Sequence, residues 1–177
     1  HGNLKWAQTG GNIYDGDEAT DILLDENGHL YVCGKINSQS ISWATFMGTP
    51  IQEATDDMYI CKLDTSGNLI WVKFAAPGPA IMGSRPSAME FNSQGEIQVM
   101  MGLGATGTLY PGFILDQGFY IIKFDTAGTM LDAINIVGAN TGGFIYNLTE
   151  IKIDAADNIY IAGYFSGDSM LISGQTL

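Results

Sequence analysis

The chain repeats itself. The segment YICKLDTSG from Tyr59 returns as YIIKFDTAG from Tyr120, identical at six of nine positions, and Gly67 and Gly128 fix a spacing of 61 residues. GNLIW, ending at Trp71, echoes GNLKW, ending at Trp6, 65 residues earlier. A third phrase occurs three times, as LDENGHLYVCG from Leu24, FNSQGEIQVMM from Phe91 and IDAADNIYIAG from Ile153. The unit is therefore 61 to 67 residues long, and 177 residues hold a little under three of them. Such a period constrains the fold strongly, because each unit must adopt the same local structure and bury its apolar faces against its neighbours.

Within each unit the apolar residues form four short segments, a to d, separated by turn chemistry. Segment a covers roughly 19 to 24, 86 to 91 and 148 to 153, and Ile151, Lys152 and Ile153 alternate with the period of a strand. Segment b carries Leu30, Tyr31 and Val32, or Ile159, Tyr160 and Ile161; segment c carries Tyr59, Ile60 and Cys61, or Tyr120, Ile121 and Ile122; segment d carries Leu69, Ile70 and Trp71. The turns DENG, DTSG and DTAG place Asp first and Gly last, as tight hairpins require. No stretch has helical periodicity. With 46% hydrophobic and 15% charged residues and 23 glycines, the chain is neither disordered nor a coiled coil.

The pattern predicts an all-β fold of β-propeller blades, four-stranded antiparallel repeats forming an incomplete propeller of roughly three blades. A β-sandwich needs no such period, and a parallel β-helix uses shorter repeats. Residues 1–7 are expected to be strand d of a first blade, 8–73 and 74–136 two blades, and 137–177 a partial one. In this frame the strands run d, abcd, abcd, ab, which cannot close a ring alone, so the open edges are expected to be completed by other blades or other copies. The chain is read as a single repeat region.

The residues D-x-x-G-N-x-Y-x-x-G, followed by D-x-[FY]-[IV]-x-K-[LF]-D-x-x-G-N-x-x-W, resemble the SBBP type of bacterial β-propeller repeat over nearly the whole chain. Asp132 stands where that pattern has Trp, and Gln98 where it has Tyr. The resemblance implies a non-enzymatic scaffold, binding or adhesion module of a larger secreted or cell-surface bacterial protein, some of which use the type IX pathway. Partners are then a protein or glycan, together with other copies or the remaining blades of a parent propeller.

Antiparallel geometry places the short a–b and c–d turns at one end of every blade and the long segments at the other. These segments, roughly 8 to 18, 35 to 57, 74 to 85, 103 to 117, 134 to 146 and 164 to 177, carry Tyr14, Trp43, Phe46, Tyr110, Phe113 and Phe144 beside Asp15, Asp17, Glu18, Asp56 and Asp57. Aromatic rings can stack on sugars and carboxylates can accept their hydroxyl protons; packing the loops down is the commoner task of such rings. A net charge of −12 repels phosphate backbones and anionic lipids, which excludes nucleic acid as a partner. No apolar run approaches the roughly 18 residues of a membrane helix, and no membrane insertion is expected.

Catalytic and cofactor motifs are weak. GLGATG, from Gly102 to Gly107, fits G-x-G-x-x-G, but TLYPG follows it where a phosphate-binding motif needs a helix. Only His1 and His29 are present, too few for a His-based zinc site and poorly placed for a Ser-His-Asp triad. Cys33 and Cys61 fall on strands and read as buried thiols. DGDE offers Asp15, Asp17 and Glu18 as weak calcium ligands without the full spacing of a calcium loop. Asn147-Leu148-Thr149 matches a glycosylation sequon but abuts strand a. No catalytic residue, metal or cofactor is assigned. The alternatives are a filament or ring subunit completed by strand addition between chains, and a polysaccharide-active enzyme or its carbohydrate-binding accessory domain.

Overall fold

A computed structural model describes residues 3–11, 16–36, 44–51, 57–74, 85–104, 107–108, 113–138, 144–166, 171–172 and 175–176. Among them there is no helix, and two sheets have four antiparallel strands each. The first consists of β2 (Glu18–Leu24), β3 (Leu30–Ile36), β6 (Asp57–Leu63) and β7 (Leu69–Phe74), in that spatial order. The second repeats the arrangement with β8 (Arg85–Phe91), β9 (Ile97–Leu103), β12 (Gly118–Phe124) and β13 (Met130–Gly138). A third sheet pairs β14 (Phe144–Ile153) with β15 (Ile159–Ser166). These are the strands that segments a to d anticipate.

The segments expected to be long loops contain strand pieces too short to show a period. β1 (Gly10–Gly11) pairs with β4 (Ala44–Phe46), which pairs with β5 (Thr49–Ile51). β10 (Gly107–Thr108) pairs with β11 (Ile114–Leu115), and β16 (Leu171–Ile172) with β17 (Gln175–Thr176). The G-x-G-x-x-G segment thus leads from β9 into a small hairpin. Residues 3–9 lie in no ladder.

Five turns, headed by Asp25, Asp64, Asn92, Asp125 and Asp154, share one hydrogen-bond pattern. The fourth residue's N–H donates to the first residue's carbonyl, at 2.9–3.0 Å. The first residue's side-chain oxygen accepts from the N–H groups two and four residues on, as Asp64 Oδ1 does from Ser66 and Asn68, both at 2.8 Å. The fourth position requires positive φ: Gly28, Gly67, Gly95 and Gly128 supply it, and Asp157 adopts φ 61° in the fifth turn.

Each first strand is bulged at an equivalent place, between Ala19 and Asp21, Pro86 and Ala88, and Leu148 and Glu150. The hydroxyl of the bulged residue donates to the neighbouring strand: Thr20 to the Cys33 carbonyl at 3.3 Å, Ser87 to Met100 at 3.2 Å, Thr149 to Ala162 at 3.3 Å.

The sheets stack face to face. Tyr31, Cys33, Met58 and Ile60 from the first sheet interlock with Met89, Val99, Met101, Tyr120, Ile122 and Phe124 from the second. Ala88, Met100, Ile121 and Ile136, on the second sheet's other face, pack with Leu148 and Ile151 of the third. β8 lies against both β2 and β14, so the first strands of successive sheets are neighbours. Asp21 reaches across to the edge of the next sheet, where the Met89 N–H donates to its Oδ2 at 2.6 Å, and Lys152 pairs with Glu90 at 2.7 Å. At the opposite edge of the first sheet, the Trp71 indole lies over Gly128 of the second.

Candidate binding site

A cavity lies on the first sheet's outer face, beneath the segment that carries Trp6. Ile22, Leu30, Val32 and Leu63 form an apolar floor; the alternation of β2, β3 and β6 points them to the face away from the second sheet. Trp6 and Met47 form walls, and Gln8, Asp17, Glu18 and Lys35 bring polar groups to the same space of about 370 Å³. Trp6 is held because its Nε1 donates to the Thr65 carbonyl at 3.2 Å and its ring lies on Gly67, where a Cβ would stand 2.6 Å from ring carbon. Gln8 adds a bond from Nε2 to the Gly67 carbonyl at 2.8 Å.

At the rim, the Glu18 carboxylate forms an ion pair with Arg85, Oε1 to Nε 3.5 Å, and its carbonyl accepts from the Tyr59 hydroxyl at 3.4 Å. Gly34 permits this crossing, since a Cβ there would collide with the Glu18 carbonyl and the Tyr59 ring. Burial pushes the Tyr59 phenol well above its ordinary range, so it remains a proton donor. An apolar floor, an indole wall and a rim of carboxylates and amide suit an amphipathic ligand: a sugar ring or an apolar side chain with a polar edge.

The two thiols are inert. Cys33 pairs in register with Ile60, and Cys61 with Val32, which sends the sulfurs to opposite faces of the sheet; both are fully buried and free. Burial raises each thiol to about 12. His29 belongs to its turn, with Nδ1 2.9 Å from Asp25 Oδ2.

Of the residues that the sequence singles out, Asp17 and Glu18 line the cavity, while Phe113 is half-buried near the second small hairpin, away from that lining. Tyr14, Asp15, Trp43, Asp56 and Tyr110 lie outside the described residues. Phe46, Phe144 and Asp57 sit on β4, β14 and β6, and their side chains, like that of Asn147, lie outside the description. Among the described residues no three His, Cys, Asp or Glu side chains gather as a metal site. Sequence reasoning missed the cavity floor and Trp6, which reads as a repeat landmark; the recurring Trp and Gly positions were the signal available. No family model and no curated protein matches the chain.

Proposed function

We propose that the chain is a run of β-propeller blades of the SBBP type, serving as a non-enzymatic scaffold and binding or adhesion module of a larger secreted or cell-surface bacterial protein. The observation that carries this reading is the repeated Trp–Gly lock. Trp6 sits on Gly67 and Trp71 on Gly128, each donating to the carbonyl two residues before the glycine. The same lock thus ties the segment that carries Trp6 to the first sheet and the first sheet to the second, a recurrence that supports a repeat architecture. The adjacency of β8 to both β2 and β14 supports this reading, since the inner strands of successive blades are neighbours in a propeller.

What favours binding over catalysis is the employment of the ionisable groups. Asp25, Asp64, Asp125 and Asp154 hold turns, Asp157 bonds to Ser93, and Lys123 pairs with Glu96 at 3.2 Å. The cavity beside Trp6 is the ligand site of this reading, and a glycan or an extended protein segment its ligand.

The test is a panel of soluble polysaccharides and glycoproteins, with binding followed by calorimetry and turnover by release of reducing ends. Binding without turnover, weakened by Trp6→Ala and Asp17→Ala, is expected. Turnover abolished by alanine at Asp15, Asp17, Asp56 or Asp57 would replace this reading with a polysaccharide-active enzyme. Electron microscopy of a chain with several further repeats tests the blades: a ring supports them, a straight stack of sheets refutes them.

A further inference from the structure

The first two sheets place a lysine from their third strand at an acidic platform made by the turn between their first and second strands. In the first sheet the Tyr31 hydroxyl donates to Asp25 Oδ2 at 3.4 Å, and Lys62, opposite Tyr31 in the ladder, covers both. Its Nζ lies 4.9 Å from the ring centroid and 4.0 Å from Asp25 Oδ2. In the second sheet Lys123 is opposite Gln98, and its Nζ lies 3.2 Å from Glu96 Oε2.

The third sheet builds the platform with no third-strand lysine among the described residues, and Lys152, opposite Tyr160 on β14, is drawn instead to Glu90 at 2.7 Å and Glu150 at 3.1 Å. The Tyr160 hydroxyl donates to Asp154 Oδ2 at 3.1 Å, the counterpart of the bond between Tyr31 and Asp25. Tyr31 is 0% exposed beneath its lysine and aromatic neighbours, whereas Tyr160 is 58% exposed. Asp154 is held near 2 by bonds from the Asn158 side chain and backbone, so it is a carboxylate at neutral pH. Among the described residues, β15 is paired along one edge only.

We infer that the open edge of β15 receives an antiparallel strand from a separate segment of the pattern aromatic–Ile–x–Lys–apolar–Asp, with its lysine seated on Tyr160 and Asp154. The inference deepens the blade reading and rests on it. Carrying over the register of β3 with β6 puts the lysine opposite Tyr160, the following apolar residue opposite Ile159, and the aromatic opposite Gly163. Gly163 takes the place of Gly34, whose missing Cβ makes room for Tyr59, and it too brings no side chain to the position opposite the incoming aromatic residue. A second folded copy is not the donor. Its β6 and β12 are central strands paired on both edges, and their lysines are already engaged.

The probe is a dye-labelled synthetic peptide with the sequence of residues 57–67 carrying Cys61→Ser, titrated into the 177-residue chain and read by fluorescence anisotropy. Saturable binding is expected, about tenfold weaker for a peptide carrying Lys62→Glu, the loss that about 1.4 kcal/mol produces. Tyr160→Ala in the chain, at an exposed position outside the turn, is expected to weaken the Lys peptide and spare the Glu peptide; circular dichroism verifies its fold. Equal affinity for the two peptides, or no saturable binding, overturns the inference. So does self-association through this edge that the peptide fails to displace, which would make a second copy the occupant. Straight stacks in the microscope would refute the blades whatever the peptide does, so the two readings fail separately.

Discussion

Trp71 of the first sheet lies across Gly128 of the second, with an added Cβ only 3.1 Å from its ring carbons, and its Nε1 donates to the Thr126 carbonyl at 3.2 Å. The pair works because Gly128 combines φ 81° with an absent side chain: the turn needs the first and the indole needs the second. Trp71→Ala is expected to lower stability by about 2 to 3 kcal/mol, less than a fully buried indole because this one is half-exposed. Trp71→Phe, which keeps the stacking and loses an exposed hydrogen bond that water can replace, should cost only about 0.5 kcal/mol. Urea unfolding followed by circular dichroism measures both; equal losses would mean that stacking contributes nothing.

Acid should loosen the turns that Asp64 and Asp154 head and the one that Glu96 closes. Hydrogen bonds from their own loops hold Asp64 and Asp154 below the ordinary value of 3.8, Asp154 at about 2, and bonds from Asn92 and Lys123 lower Glu96 below 4.5. A carboxyl whose folded value is depressed contributes stability that is present above its unfolded value and lost as pH falls through the folded one. The urea midpoint is therefore expected to be level from pH 7 to 5 and to fall between pH 4 and about 2. Asp154→Asn, which keeps an acceptor and removes the titration, should flatten part of that fall. An identical slope in the variant would show that Asp154 does not contribute.

Strand positions were legible because turn chemistry punctuates them, five times with one pattern. Other features were illegible for physical reasons. The bulges at Thr20, Ser87 and Thr149 use ordinary strand-compatible residues, and only the pairing reveals the extra residue. Asp157 occupies a place that glycine fills in the other four turns, and its carboxylate gains what glycine lacks: bonds from the Ser93 N–H at 2.8 Å and Oγ at 2.7 Å in the adjacent sheet. The cavity was hidden because its floor comes from Ile22, Leu30, Val32 and Leu63, scattered over three strands. Asp132 and Gln98, by contrast, were visible as departures. Asp132 is exposed on β13, where a Trp would reach toward a following turn, and Gln98 is buried with Oε1 lacking a hydrogen-bond partner.

The thiols give an alkaline counterpart. Cys33 and Cys61 are raised from 9.0 to about 12 by burial on opposite faces of the sheet. The native chain is expected to react with a thiol reagent at pH 8 only as fast as it unfolds, and to release two thiols together in urea. Because an acid with a raised folded value favours folding below its unfolded value, this contribution declines once pH rises above about 9, where the unfolded thiols ionise first. Rapid labelling of either cysteine without denaturant would contradict the burial.

The bulge hydroxyls predict a graded series. Thr20→Val preserves shape and deletes the donor to the Cys33 carbonyl, and Ser87→Ala deletes the donor to Met100; both hydroxyls are part-buried. Each substitution is expected to cost about 1 kcal/mol, since the carbonyl loses a partner it cannot replace with water. Thr149→Val should cost less, because its bond to the Ala162 carbonyl is exposed and water can substitute. Equilibrium unfolding of the three single variants decides the matter. If Thr149→Val is as damaging as Thr20→Val, the hydroxyl acts by shaping the bulge itself, and the cost of an unsatisfied carbonyl is not what the first two variants measure.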